Sequence, residues 1–71
     1  MKNWIVWIKN ANDETFYLVK GKKWADNMAS GGRFTRRGAA RLQTMQADLC
    51  LGKPDPNGDS MIYACGTYAG N

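Results

Sequence analysis

At 71 residues the chain has room for one domain and no second core, since a chain this short buries roughly 60% of the surface its unfolded form exposes. A hydrophobic content of 44% with three Trp, three Tyr and two Phe excludes a disordered tail. The net charge of +4 is unevenly placed: Lys20, Lys22, Lys23, Arg33, Arg36, Arg37 and Arg41 face Asp26 alone over residues 20–41, a local net of +6, and the remainder carries −2.

Trp4-Ile5-Val6-Trp7-Ile8 is aromatic and β-branched throughout, the composition of a strand. It is apolar on both faces, with Trp4, Val6 and Ile8 alternating with Ile5 and Trp7, and so belongs in the middle of a sheet. Asn10-Ala11-Asn12-Asp13 supplies turn chemistry, and Thr15-Phe16-Tyr17-Leu18-Val19 returns as a second strand. Setting Ile8 opposite Phe16, Val6 opposite Leu18 and Trp7 opposite Tyr17 keeps each face consistent. Gly21-Lys22-Lys23 breaks this strand, and Trp24 either continues it briefly or plugs the sheet edge.

Asp26 to Gly32 reads as loop, its Gly31-Gly32 pair permitting a sharp turn. Thr35 is then the N-cap of the one convincing helix, with Phe34 and Ala39 at staple positions. Ala39, Leu42, Met45 or Gln46, and Leu49 recur at helical spacing, widened by Ala40, Ala47 and Cys50, and predict the buried stripe. Gly52 ends the helix as its C′ residue, with Pro54 enforcing the stop. Residues 53–59 read as an exposed turn, Ser60 to Cys65 as the third strand, and residues 66–71 as a tail expected to fray.

The expected fold is therefore one α+β domain over residues 1–71, with ββαβ topology. Its three-stranded antiparallel sheet has order 2-1-3, with one helix packed on one face. The second face is left to the tail, Trp24 and the 25–33 loop, or to a second copy in a homodimer.

With no His in the sequence, the commonest general base and metal ligand is missing. Cys50 and Cys65 have neither zinc spacing nor a base partner. They read as two small buried hydrophobes in a reducing compartment, or alternatively as one bridge from the helix end to the last strand. Asp55-Pro56-Asn57-Gly58-Asp59 lacks the closing Glu of a calcium loop, and Gly31-Gly32-Arg33-Phe34-Thr35 lacks the phosphate-loop lysine. The expectation is a non-enzymatic chain with no catalytic residue, metal site or cofactor.

The helix start carries the one functional lead. A helix N-terminus has a partial positive charge and normally collects acids, yet this one collects Arg33, Arg36, Arg37 and Arg41. Free N–H groups, the dipole and these guanidinium groups together favour an anionic or acidic partner. The candidate binding residues are Lys20, Lys22, Lys23, Arg33, Arg36, Arg37 and Arg41, with Trp7 and Tyr17 as aromatic anchors on the open sheet face.

The succession Tyr17-Leu18, Lys22-Lys23-Trp24, Arg33-Phe34-Thr35 and Ala39-Ala40 resembles, over about residues 4–51, a pattern of small phage and prophage accessory proteins, some of them anti-CRISPR proteins. The resemblance implies a binding protein that inhibits a host defence protein or ribonucleoprotein complex. The basic charge departs from those inhibitors that act as acidic mimics of DNA, and no binding residue carries over from the resemblance. Two other expectations stand beside it: a small nucleic-acid-binding protein using Lys/Arg phosphate contacts and aromatic stacking, and a homodimeric interaction protein. The apolar run at Trp4–Ile8 is shorter than a signal-peptide core and far shorter than a membrane span, so the expected location is the host cytoplasm.

Overall fold

A computed structural model describes residues 2–70. The elements run β1 (Trp4–Asn10), β2 (Thr15–Lys20), β3 (Lys23–Ala25), a single 3-10 turn (Met28–Ser30), α1 (Arg36–Cys50) and β4 (Ile62–Ala69). All strands are antiparallel in one sheet of order β3-β2-β1-β4. The sheet thus has four strands rather than the expected three, because Trp24 and its neighbours add a short edge strand to β2. β1 is central, as its two apolar faces require. Trp7 pairs with Tyr17 and Ile8 with Phe16, the register inferred from keeping each face consistent.

The expected tail is mostly strand. β4 continues to Ala69, paired with β1 from Trp4↔Ala69 to Lys9↔Ala64, so residues 66–69 are held by the sheet; Asn71 lies outside the described residues. A β-bulge sets Ile62 opposite Asn10, with Tyr63 as the extra residue. Strand alternation would otherwise place Ile62 on the face of Ala64. The bulge turns it toward the helix side instead, where it packs with Ile8 and Phe16.

The core lies between α1 and the sheet. Val6, Leu18 and Ala39 form one cluster with Trp4, Trp24, Phe34 and Leu42 packed against it. Ile8, Phe16 and Ile62 form the other, flanked by Trp24, Cys50 and Cys65. Trp24 touches both, so the edge strand contributes a cover for β2 that α1, seated over β1 and β4, does not reach.

The helix turns Ala39, Leu42, Gln46 and Cys50 inward, taking Gln46 over Met45 among the expected alternatives, and departs from the expected stripe at Leu49. Ala39 and Gln46 are its buried residues, whereas Met45 is 51% and Leu49 59% exposed. Two glutamines on the inward side find partners there. Gln46 accepts from the Cys50 thiol at 3.0 Å, and Gln43 donates to the Cys65 sulfur at 3.5 Å. The polar side chains facing the sheet are thereby satisfied by sulfur rather than left unpaired. Both cysteines are free and half-buried.

The helix ends follow the local signals. Thr35 Oγ1 accepts from the Gly38 N–H at 2.9 Å, and Gly52, with φ 79°, takes the left-handed position after the cap. Gly31-Gly32 serves close approach rather than a positive φ. A Cβ on Gly31 would lie 2.9 Å from Tyr17 Cβ, and one on Gly32 would strike the Val19 carbonyl. Gly32 N–H donates to the Leu18 carbonyl at 2.8 Å, laying this segment against β2.

Candidate functional site

Two reciprocal backbone hydrogen bonds of 2.8 Å join Trp4 and Phe34, pinning the start of α1 to the start of β1. Arg36 then lies over the Trp4 ring, its guanidinium carbon 5.6 Å from the centroid, a cation–π geometry. The register that pairs Trp7 with Tyr17 brings the Lys20 end of β2 to this same end of the sheet. Lys20 pairs there with Lys23 across the β2–β3 turn. Lys20, Lys23, Arg36 and Arg37 are all exposed, and the first turn of α1 holds no acid. Arg36 and Arg37 thus stand together at the helix start, and Lys20 and Lys23 together at the β2–β3 turn, set off from Trp4 by the Gly32–Phe34 segment, which pairs with Trp4 where β2 would otherwise lie.

The other three are placed differently. Arg33 is half-buried, and its Nη1 reaches the carbonyls of Met28, Gly31 and Gly32 at 3.3, 3.3 and 3.4 Å. It closes the 3-10 segment onto itself. Lys22 lines a depression of about 450 Å³ with Trp24, Cys50 and Pro54, toward the helix C-terminus. Arg41 is exposed one turn beyond Arg37.

The aromatic anchors lie on the sheet face opposite α1, away from the basic end, and both are half-buried. Trp7 lies across Gly66, where a Cβ would come within 2.8 Å of its indole. Tyr17 lies beneath Gly31. Tyr68 on the same face donates to the Met28 sulfur at 3.0 Å; burial, with Tyr17 beside it, pushes its phenol up while Arg33 opposes. The 26–32 segment thus covers part of the second face, as expected of the 25–33 loop, while Trp24 packs on the helix side instead. Trp4, not among the candidates, is the aromatic residue at the basic end. Its placement opposite the helix start is the signal that would have found it.

A polar cluster closes the opposite end. Asn10, fully buried, donates to Asp55 Oδ2 at 2.7 Å and Glu14 Oε1 at 3.0 Å. Its Oδ1 accepts from the Asn12 and Glu14 N–H groups at 3.0 and 2.9 Å. Asp55 also accepts from the Asn57 and Asp59 N–H groups. The Asn10 bond, then the backbone donors against a desolvation penalty, hold its carboxyl below the usual range. This cluster shapes the loop between α1 and β4. Burial, and secondarily Cys65, pushes the Cys50 thiol up, favouring its protonated form. Among the described residues no group of three or more His, Cys, Asp or Glu is placed to hold a metal, and no helix is long and apolar enough to cross a membrane.

Comparison with protein-family models, curated proteins and solved structures gives no match to this chain.

Proposed function

We propose that the chain is a non-enzymatic binding protein of the phage accessory type, which docks its basic end onto an acidic surface of a host defence complex and blocks it, in the manner of anti-CRISPR proteins. The observation that supports this reading is the cationic helix start: Arg36 held over Trp4, with Arg37 exposed beside it and no acid in the first turn, and with Lys20 and Lys23 exposed at the β2–β3 turn. Stacking on Trp4 fixes the position of one guanidinium before any partner arrives, which lowers the ordering cost of a contact made there. The surrounding charges favour fast, salt-sensitive encounter with an acidic surface.

The test is co-purification of the tagged chain with an assembled CRISPR effector complex, alongside an interference assay. The wild type is expected to hold the complex and suppress interference, and Lys23→Glu/Arg36→Glu/Arg37→Glu to lose both. The reading fails if no host nuclease assembly is retained. It also fails if the chain instead binds free DNA or RNA with a steep salt dependence, which is the mark of phosphate neutralisation.

A further inference from the structure

The exposed side of α1 carries features that neither the fold nor the basic end uses. Met45 and Leu49, 51% and 59% exposed, are one turn apart on the same helix. Two depressions open beside them. One is a shallow groove in the helix surface bounded by Gly38, Arg41, Leu42 and Met45; the other, flatter, lies between Arg41, Thr44, Met45 and Asp48 with Ala40 at its rim. Each quartet has the i, i+3, i+4, i+7 spacing that forms a hole for a side chain of a facing helix.

We propose that the chain forms a homodimer in which two copies of α1 pack antiparallel, with the two-fold axis passing beside Met45. The register follows from the spacing. At about 1.5 Å per residue, Leu49 lies about 6 Å past Met45, and the centre of the Gly38–Met45 hole about 5 Å before it. A two-fold axis at Met45 therefore seats the Leu49 side chain of each copy in that hole of the other. Met45 falls into the second hole by the same operation. Such an interface is self-complementary, as a two-fold contact requires.

Charge selects the same arrangement. Arg41 lies four residues before Met45 and Asp48 three after it, on one side of the helix. In an antiparallel pair the same sides face each other, so Arg41 of one copy meets Asp48 of the second, twice per dimer. The pairing also lays Arg41 of each helix beside the C-terminal part of its mate, where the helix dipole is negative. A parallel pair would set Arg41 beside Arg41 and Asp48 beside Asp48. This inference is independent of the proposed function, whose test leaves Arg41, Met45, Asp48 and Leu49 untouched.

Sedimentation equilibrium on the full chain, up to about 1 mM, tests the proposal. The wild type is expected to dimerise. Arg41→Asp and Asp48→Arg are each expected to weaken the dimer about tenfold or more by turning two attractions into repulsions. The double variant Arg41→Asp/Asp48→Arg restores it, and Leu49→Asp abolishes it. Leu49 is exposed, so circular dichroism of Leu49→Asp is expected to match the wild type and separate lost dimerisation from lost folding. A wild type that stays monomeric throughout overturns the proposal. So does a dimer indifferent to Leu49→Asp, or a double variant as weak as the single ones.

Discussion

Replacing Asn10 by Ala removes four hydrogen bonds from a fully buried side chain. The Asn12 and Glu14 N–H groups belong to exposed residues and regain water, so each costs a fraction of a hydrogen bond. Asp55 is 5% exposed and loses the donor at 2.7 Å without gaining ready access to solvent. At roughly 1.5–3 kcal/mol for the bond to the Asp55 carboxylate and a fraction of a kcal/mol for each of the others, which water largely replaces, the expected loss is about 2–3 kcal/mol. A domain of this length is stable by roughly 4–10 kcal/mol, so the variant folds with a reduced margin. With a urea slope near 1 kcal/mol/M, the midpoint falls by about 2 M. Urea unfolding followed by tryptophan fluorescence reads this directly.

The pH dependence checks the cause. The folded Asp55 carboxyl is held below its ordinary value, chiefly by Asn10. Its stabilising contribution is therefore present above the unfolded pKa and lost as pH falls through the lowered folded one. Without Asn10 that acid-sensitive contribution shrinks, so the gap between wild type and variant narrows on acidification. A gap that stays constant or widens as pH falls, or a midpoint shift under about 0.5 M, refutes the reasoning.

Gly66 is expected to resist substitution, because its place opposite Trp7 leaves no room for a Cβ, which would sit 2.8 Å from the indole. Gly66→Ala should cost about 1–2 kcal/mol and alter the near-ultraviolet dichroism of the displaced ring; an unchanged spectrum and midpoint would show that the ring yields freely. Arg37→Glu should act in the opposite direction. An acid in the exposed first turn gains about 0.3–1 kcal/mol from the helix dipole at low salt, so thermal unfolding should shift upward, and less so as salt rises. A lower midpoint would mean that Arg37 supports the fold.

The parts of the fold set by local chemistry were legible in the residues. Thr35 has only to accept from Gly38 to start α1, and Gly52 only to adopt a positive φ to end it. The β1–β2 register follows from alternation on a strand apolar on both faces. What escaped reading depends on distant partners. β3 is three residues long, too short for any periodicity. Gly66 has weak strand preference and interrupts the pattern that Thr67 and Tyr68 would continue; β4 runs through it because Trp7 packs over the glycine. Met45 and Gln46 are adjacent on the helix, and Gln46 is the one that shares the inward side with Ala39, Leu42 and Cys50, whose packing on the sheet no local pattern fixes. Asp55 sits in an apparently exposed Pro-Asn-Gly turn, yet its main partner is Asn10, 45 residues away. Of the site, the basic residues were visible as composition, but their grouping was not. Nothing local distinguishes Arg33, which turns back on its own segment, from Arg36, which stacks on Trp4.

That difference narrows what the anomalous helix start can mean. A run of arginines at a positive helix end costs stability, and the fold offsets some of it with intramolecular contacts: Arg33 with three carbonyls, Arg36 with an indole. Arg41, one turn beyond Arg37, has the spacing to Asp48 that an antiparallel mate would satisfy. Arg37 remains as an exposed charge beside N–H groups already biased toward anions, with Lys20 and Lys23 exposed at the β2–β3 turn. If Arg37→Glu stabilises the protein while the triple reversal abolishes capture, the same substitution site improves the fold and harms the activity. Separating those two effects tests whether the charge at the helix start serves binding rather than folding.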